Sequence, residues 1–459
     1  MQHKDRSDLT RGNILNRLIA LSVPIMGSQL LQMAYNLTDM FWLGRVGSHA
    51  VAATGTVGMY LWLSMAFAMY GAKGAEIGVS QNIGRGNAAA ARAYASSSLG
   101  LSVGLGVAFA AVMMLLRGPL VGFFAIQEAE VVAGAESYLL LTAIGIPATY
   151  VTSCVTGVFI AAGNSRVPFF VNLICVVMNL VLDPVLIFTA GLNIEGAALA
   201  TVASQWVSAV LLLLALKRNR IPTLEGMRLF ARPRWVQLRQ IFRWATPIAV
   251  ESFLFTFLSM IISRFVAAYG SPAMSAQRIG SQVESLSWLV AGGFSSAVAA
   301  FVGQNYGAGA YGRIHRGFRL SVVAMVVWGV CITALLYFFA GPIFTLFLPG
   351  DEVVLGIGTE YLQILAMCQL IACLEGVASG AFRGLGRTLP PSVVTVACNS
   401  VRVVAAWLLP QTGLGLAGIW WAISLGAVAR GLCMLGWYLL SARKLPRADA
   451  PREGEAAVV

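Results

Sequence analysis

Charged residues are scarce in this sequence. Asp, Glu, Lys and Arg make up 11% of its 459 residues, whereas 58% of the residues are hydrophobic, and the mean hydropathy is +0.77. An ordinary water-soluble domain carries about 25% charged residues. The shortage of charge therefore excludes an ordinary soluble fold and indicates a protein that lies in a lipid bilayer.

Metal-binding and nucleophilic residues are also few. The three histidines, His3, His49 and His315, lie in the amino-terminal segment or at predicted loops. The seven cysteines fall within predicted spans without CxxC spacing, so we interpret them as small apolar packing residues. The sequence contains neither an HExxH motif nor an acid-rich metal motif. We therefore expect neither an enzyme nor a bound organic or transition-metal cofactor.

Long apolar segments recur from one end of the chain to the other. Twelve of them are about 20 residues or longer, which is enough to cross a bilayer as a helix. They lie at 17–43, 51–80, 95–116, 134–161, 169–189, 196–216, 244–267, 281–302, 318–346, 356–381, 391–409 and 416–440. Lipid leaves backbone amides unsatisfied unless they bond within the segment, and the alternating pattern of barrel strands is missing. The expected fold is an all-α membrane protein with twelve transmembrane helices.

Positive charge is concentrated in alternate connections between these segments. The connection 217–243 carries eight Lys or Arg residues. Three further connections on the same predicted side contain Arg85 and Arg92, Arg313 and Arg316, and Arg383 and Arg387. Basic loops stay in the cytoplasm, so we expect a multi-pass protein of the cytoplasmic membrane with both termini cytoplasmic. The net charge of +12 then reflects topology and anionic lipid, and we expect no nucleic-acid partner.

The sequence also contains an internal repeat. Four motifs recur at one constant offset, which we call the repeat offset: SVPIMGSQLL at 22 with ATPIAVESFL at 245, VGSHAVAA at 46 with YGSPAMSA at 269, SQNIGRGN at 80 with GQNYGAGA at 303, and AAGNSRVP at 161 with GLGRTLPP at 384. We expect two homologous six-helix bundles, an amino-terminal lobe at 1–216 and a carboxyl-terminal lobe at 244–440, with a basic cytoplasmic linker at 217–243 and a cytoplasmic tail at 441–459. Because six is even, these are parallel repeats with a pseudo-two-fold axis along the membrane normal, which is a transporter architecture.

We single out six acidic residues of the predicted spans. They are Asp39, Glu76, Asp183, Glu251, Glu284 and Glu375, with Glu76 and Glu284 near span ends. A charge at the bilayer centre costs on the order of a few kcal/mol unless it faces a cavity or a partner. Each acid is therefore a candidate functional residue; the alternative is an ion pair that only fixes helix packing.

The acids of the first bundle are predicted to form a polar pocket. Counting along the helices places Asp39, Asp183 and Thr201 at one depth, roughly 8 to 10 Å below the outer surface. Helical spacing adds Tyr35, Asn36, Asn172 and Asn179, each of which shares a helix face with one of the two acids. No Lys or Arg lies at that depth, so the two carboxylates either hold a proton or bind a hard cation such as Na⁺. Either occupant suits coupling to an ion gradient.

The second bundle departs from the first. At the repeat offset, Ile262 and Ala406 take the positions of Asp39 and Asp183. The second bundle carries its own polar cluster instead, formed by Glu251, Glu375, Arg402 and Arg430. We interpret this cluster as mutual neutralisation of charge rather than as a second coupling site.

Two further features of the first bundle bear on movement and on substrate binding. Pro24 interrupts the first predicted helix and permits a kink there; the alternative is that it only shapes packing. Met33, Met65 and Met69 are candidates for an adaptable apolar substrate cavity, although methionine on a membrane helix commonly serves packing alone.

Several of these segments together resemble the multidrug and toxic compound extrusion family of secondary transporters. They are PIMGSQLLQMAYNLTDMFWLGRVG, VSQNIGRGN, FIAAGNSRVPF and MNLVLDPVLIF, and the resemblance covers residues 14–440. In the branch with archaeal and DinF-like members, the coupling site uses an aspartate on the first helix, an asparagine and an aspartate on the fifth and a threonine on the sixth. These match Asp39, Asn179, Asp183 and Thr201. The resemblance implies that H⁺ or Na⁺ bound there bends the first helix at Pro24.

The predicted function is therefore secondary active antiport. We expect export of organic, cationic or amphipathic drug-like solutes in exchange for H⁺ or Na⁺, by a monomer whose partners are the small-molecule substrate and the bilayer. The alternative in the same superfamily is a flippase for lipid-linked precursors, although such proteins commonly have more spans and a cationic cavity. A passive channel and a polytopic membrane enzyme are alternatives from other classes.

Overall fold

The computed structural model describes most of the chain. The described residues are 8–124, 126, 128–218, 221, 224–227, 233–347 and 351–446. Outside them lie residues 1–7 with His3, parts of the predicted linker (219–220, 222–223 and 228–232) and most of the predicted tail (447–459).

Within the described residues the chain forms fourteen α-helices. They are α1 (Ile14–Val46), α2 (Ser48–Gly84), α3 (Ala88–Leu115), α4 (Arg117–Gly122), α5 (Ala129–Ala161), α6 (Arg166–Pro184), α7 (Asn193–Arg218), α8 (Trp235–Ala267), α9 (Ser271–Gly307), α10 (Tyr311–Phe338), α11 (Ala340–Phe347), α12 (Glu352–Gly384), α13 (Leu389–Leu408) and α14 (Gly415–Ala442). A π-helical turn, Val185–Thr189, extends α6, and a 3₁₀ turn, Leu409–Thr412, extends α13.

The predicted all-α fold with twelve membrane-spanning helices is confirmed. Twelve of these helices are long and apolar enough to cross a membrane. The short helices α4 and α11 were not predicted as separate elements. The predicted span 318–346 merged α10 with α11, because apolar composition continues through Phe339, where the backbone leaves the helical region (φ −106°, ψ 14°). Hydropathy measures composition and does not detect such a break in the backbone.

The internal repeat extends to the helix boundaries. The helices α2, α3 and α5 correspond to α9, α10 and α12. In each pair, the first residues and the last residues of the two helices are separated by the repeat offset. The turns after α2 and α9 also match: Gly86 (φ +72°) and Gly309 (φ +68°) take the left-handed conformation that ends each helix. We use the term basic end for the end of each repeat at which these turns lie.

The described residues divide into two compact units. The first contains Asp8 with residues 23–249, and the second contains residues 9–22 with 250–446. The division falls inside two helices, α1 and α8. Helix α1 changes unit between Ser22 and Val23, next to Pro24, and α8 changes unit between Ala249 and Val250, close to Pro247.

In the first unit, α5 is the central helix. It packs against α2, α3 and α7, and more than half of its residues are buried. Small residues allow the close approach: a Cβ on Gly157 would lie 2.6 Å from the Ala72 carbonyl oxygen of α2. This packing leaves the lobe's polar side chains between tightly fitted helices rather than in a loose interior.

In the second unit, α12 takes the same central position. It packs against α9, α10 and α14, and a Cβ on Gly380 would lie 2.3 Å from the Ser295 carbonyl oxygen of α9. Ile262 and Ala406, which stand at the repeat positions of the two acids, are 2% and 1% exposed within its hydrophobic core.

Candidate functional site

The predicted pocket of the first unit is built by α1, α6 and α7. The Tyr35 hydroxyl on α1 lies 3.0 Å from Thr201 Oγ1 on α7. On α6, Asn179 Nδ2 donates to Asp183 Oδ1 at 3.2 Å, one helical turn away. The structure therefore gives each of these four residues a hydrogen-bond partner within the predicted set.

The two acids have buried oxygens that the protein leaves unsatisfied. Asp183 is completely buried and Asn179 is 2% exposed. Among the described residues, Asp183 Oδ2 and Asp39 Oδ1 have no hydrogen-bond partner, and no Lys or Arg is paired with either carboxyl. The two carboxylates are close enough for their charges to interact. A buried carboxylate in this setting is costly unless it binds a proton or a cation.

The chemistry of the surrounding groups suits a small hard cation as well as a proton. Asp39, Asp183, Asn179 and Thr201 offer only carboxylate, amide and hydroxyl oxygens, the ligand type of Na⁺, Ca²⁺ and Mg²⁺. Within the described residues, no group of three or more His, Cys, Asp or Glu side chains could hold a metal ion. The carboxylates of Asp39 and Asp183 therefore supply the negative charge that would balance a bound cation.

The backbone next to Asp183 is irregular. Pro184 ends α6 and is followed by the π-helical turn Val185–Thr189, in which the Ala190 N–H donates to the Val185 carbonyl at 2.8 Å. Proline lacks an N–H and cannot continue the regular ladder. Single π turns often occur at functional sites, because they change the direction in which nearby side chains point.

The supporting residues divide between the pocket and the helix contacts around it. Asn36 is exposed and accepts from Gln32 along α1 at 3.4 Å. Asn172 Nδ2 donates to the Ser28 carbonyl at 3.2 Å, which joins α6 to α1 about three turns from Asp183. The structure therefore places Asn36 and Asn172 in helix contacts and Tyr35 in the pocket.

The predicted cavity methionines and Pro24 are all at least partly exposed. Met65 is 49% exposed, and Met33, Met69 and Pro24 are each partly exposed. These four side chains are therefore not completely covered by the rest of the first unit.

Sequence reasoning missed Tyr138 on α5. It is 6% exposed, and its hydroxyl is close enough to interact electrostatically with Asp39, Asp183 and Tyr35. The repeat held a signal for it, because the residue at the matching position of the second repeat is also a buried tyrosine, Tyr361.

The polar cluster of the second unit separates into distinct contacts. Arg430 Nε donates to Glu375 Oε2 at 2.7 Å, which joins α14 to α12. Glu251 accepts from Ser392 Oγ at 2.7 Å. Arg402 donates to Ser259 Oγ at 3.1 Å. The four predicted residues therefore lie in one lobe, but among them only the Glu375 and Arg430 side chains are within ion-pair distance in the described structure.

Glu284 lies in the interior of α9, and the expectation that it is near a span end is wrong. The hydropathy window began at 281, whereas α9 begins at Ser271. Arg278 and the polar residues before it lowered the hydropathy without ending the helix. Glu284 is 6% exposed and accepts hydrogen bonds from Gln369 at 3.0 Å and Tyr361 at 3.4 Å.

Comparison with known proteins identifies the family. The MatE family model matches residues 24–185 and 247–408, and both ends of these two matches are again separated by the repeat offset. The probable multidrug resistance protein NorM of Thermotoga maritima is 28% identical over 451 residues, covering 96% of this chain and 95% of that protein. The FAD transporter of Shewanella oneidensis is 27% identical over 361 residues, covering 76% and 78%.

A solved structure shows the same fold. The crystal structure of MATE in complex with MaD3S superposes with a TM-score of 0.91 and 21% identity, covering 97% of this chain and 99% of that one. The two family matches cover more than half of the chain, one in each repeat. This chain, with its twelve membrane-spanning helices, therefore belongs to the multidrug and toxic compound extrusion family of transporters.

Proposed function

We propose that this protein is a secondary active antiporter that exports organic, cationic or amphipathic solutes in exchange for H⁺ or Na⁺. The observation that carries the proposal is the pair of buried, unsatisfied carboxyl oxygens of Asp39 and Asp183. The family supports transport, and the name of the Thermotoga maritima relative supports a drug-like substrate.

The occupant of the pocket controls the contact between α1 and α6. Asp39 stands on α1 and Asp183 on α6, so a proton or Na⁺ between them removes their mutual repulsion and holds the helices together. When the occupant leaves, two like charges remain in a setting of low dielectric constant, where their repulsion is strong. Release of the ion therefore drives the two helices apart.

Helix α1 can bend at one position, Pro24. Pro24 has no N–H, so the Ala20 carbonyl lacks its helical donor and α1 bends there at low cost. Tyr35 and Asp39 lie on the same helix, beyond that proline. Ion occupancy at Asp39 is thereby coupled to the angle of α1, and the preferred state of the transporter shifts with the ion.

The orientation of the protein in the membrane follows from the charge on the loops. The basic end is the cytoplasmic end, because basic loops are retained there, and both termini are cytoplasmic in a protein of the cytoplasmic membrane. A single chain contains both repeats, so a monomer is sufficient. The protein carries its substrate unchanged and is not an enzyme; the coupling ion takes the place of a cofactor.

A second candidate concerns the substrate alone. The FAD transporter relative favours an anionic flavin nucleotide over a cationic drug, with the same ion site. Cationic dye and flavin nucleotide therefore serve as paired test substrates.

The test is transport by the purified protein in proteoliposomes. Efflux of ethidium and of FAD is followed under an imposed pH gradient, an imposed Na⁺ gradient or neither, for the wild type and for Asp39→Asn and Asp183→Asn. The matched control is Glu130→Gln, which removes an exposed carboxylate from the same unit. We expect gradient-driven efflux that both pocket variants abolish and the control retains.

Other outcomes would change the assignment. Normal coupled efflux in both pocket variants would contradict the assignment of the ion site. Flux that saturates without a gradient would indicate a passive carrier, and movement of a lipid-linked precursor in place of either solute would indicate a flippase.

A further inference from the structure

The second unit contains a buried carboxylate whose partners differ from those of the first unit. Glu284 on α9 accepts from Gln369 Nε2 and from the Tyr361 hydroxyl, both on α12. All three side chains are buried, with 6%, 0% and 3% exposure. Both of these partners donate to the carboxyl oxygens, an arrangement that suits the ionised form.

The second unit also contains a buried cation, Arg402 on α13. Arg402 is 5% exposed, and the Phe255 ring that it packs against lies 5.9 Å from the ring of Trp288, one turn after Glu284 on α9. Its NH2 donates to Ser259 Oγ on α8 at 3.1 Å, and its guanidinium lies 5.5 Å from the ring centre of Phe255. These two contacts, to Ser259 and Phe255 of α8, fix the position of the guanidinium within the second unit.

The other buried cation among the described residues of this lobe has its own acidic partner. Arg430, which repels Arg402, forms its own ion pair with Glu375 at 2.7 Å. The charge of Arg402 therefore remains available to neutralise Glu284. Among the described residues of this lobe, Glu284 and Arg402 are therefore the buried acid and the buried base that belong to no other ion pair.

The repeat places this cluster where the first unit has its carboxyl pocket. At the repeat offset, Tyr361 corresponds to Tyr138, Ser424 to Thr201 and Arg402 to Asn179. Ile262 and Ala406 correspond to Asp39 and Asp183 and lie in the same core cluster as Tyr361. Thus the second unit lacks the two acids of the first pocket, carries an acid on a different helix and has a guanidinium where the first pocket has an amide.

We propose that the second unit retains a copy of the ion pocket in which the guanidinium of Arg402 permanently replaces the exchangeable cation and Glu284 supplies the anion. The second unit then binds no coupling ion, and the ion stoichiometry is set by the first unit. This inference deepens the proposed function and rests on it for the identity of the exchangeable ion. The replacement of a free cation by a tethered one concerns the second unit alone.

Removal of the tethered charge should open the site. Arg402→Asn introduces the amide of the first pocket and leaves Glu284 as a buried, uncompensated carboxylate. Gln369 Oε1 is buried without a partner among the described residues, so it adds an oxygen to those of Glu284 and Tyr361. Such a set would take a monovalent hard cation or a proton.

The experiment counts ions on the full-length protein in detergent or nanodiscs. Equilibrium binding of ²²Na⁺ and uptake of protons after an acid pulse are measured for the wild type, Arg402→Asn, Glu284→Gln and the double variant. We expect one additional bound Na⁺ or H⁺ per chain in Arg402→Asn only. The double variant should return to the wild-type count, and Arg402→Lys, which keeps a tethered cation, should also match it.

Two results would overturn the proposal. One is an unchanged count of both ions in Arg402→Asn that elutes and melts as a folded protein. The other is the loss of one bound ion in Glu284→Gln, because Glu284 would then be an exchangeable site in the wild type. The second result remains decisive even if Arg402→Asn fails to fold.

The ion count at the second pocket can be tested independently of the proposed function. The same count is repeated in an Asp39→Asn, Asp183→Asn background, which lacks the first pocket. An additional ion on Arg402→Asn in that background supports the second pocket even if the first pocket proves not to couple transport.

Discussion

The Tyr35 hydroxyl on α1 lies 3.0 Å from Thr201 Oγ1 on α7, and this contact joins the two helices. Tyr35 and Asp39 lie one helical turn apart on α1. The same short stretch of helix thus carries a carboxyl oxygen without a partner and a hydroxyl that has one. The hydrogen bond holds this stretch of α1 in place, and under the proposed function the coupling ion supplies the missing partner of the carboxyl oxygen.

Tyr35→Phe should weaken ion binding without removing it. A hydrogen bond of this kind contributes about 0.5–1.5 kcal/mol, so the apparent affinity for the coupling ion should fall by roughly 2- to 10-fold. The measurement is the dependence of efflux rate on ion concentration. Thr201→Val should have a similar effect, and the double variant should be no worse than either single one.

The control for this pair is Tyr269→Phe, at a half-exposed tyrosine in the second unit. Its ion dependence should match that of the wild type. Strictly additive effects of Tyr35→Phe and Thr201→Val would show that the two hydroxyls act independently.

The coupling ion should stabilise the folded protein. An occupant that binds only the native state at 100 times its Kd raises the unfolding free energy by about 2.7 kcal/mol. If the occupant is Na⁺, the melting temperature rises with NaCl but not with choline chloride. If it is H⁺, the melting temperature rises as the pH falls through the range in which the pocket gains its proton. Asp183→Asn should abolish either dependence, and Glu130→Gln should leave it intact.

Pro24→Ala should change transport and ion binding together. The added N–H restores the hydrogen bond to the Ala20 carbonyl and stiffens α1, so the efflux rate should fall several-fold. The apparent ion affinity, measured by the ion-dependent melting shift, should change as well although Pro24 lies far along α1 from Asp39, because coupling between ion binding and the helix angle is reciprocal. An unchanged transport rate would mean that Pro24 only shapes packing.

Gly380→Ala should destabilise the second unit. Its Cβ would lie 2.3 Å from the Ser295 carbonyl oxygen on α9, and such overpacking typically costs about 1–3 kcal/mol. Thermal unfolding in detergent measures the effect. Gly356→Ala is the matched control on α12, because no atom lies within 4 Å of its added Cβ; there the substitution should be neutral or slightly stabilising. Equal melting temperatures for the two variants would contradict the close contact.

Much of the fold could be predicted because two signals repeat along the chain. Apolar composition identified twelve spans, and the repeat offset paired the halves, an offset that recurs in the bounds of α2 and α9. Hydropathy could not separate α10 from α11 or find the start of α9, since both boundaries depend on backbone geometry and capping rather than on composition. The misplaced depth of Glu284 followed from that second boundary.

Contacts of the candidate site could be predicted where both residues lie on the same helix. Asn179 and Asp183 are one turn apart, and their hydrogen bond follows from helical spacing. The contact of Tyr35 with Thr201 and the burial of Tyr138 join residues that are far apart in the chain, so helix packing decides them.

The sequence by itself determined that this protein is a membrane-spanning, duplicated helical transporter with two acids in one half and none at the matching positions of the other, because composition and repeat spacing are properties of the chain. Only the tertiary structure decided which oxygens remain unsatisfied, which tyrosine bonds to Thr201 and which side chains donate to Glu284. Hydrogen bonds and charge pairs between helices depend on the rotation and depth of each helix, and these are set by how small residues such as Gly157 and Gly380 let the helices approach.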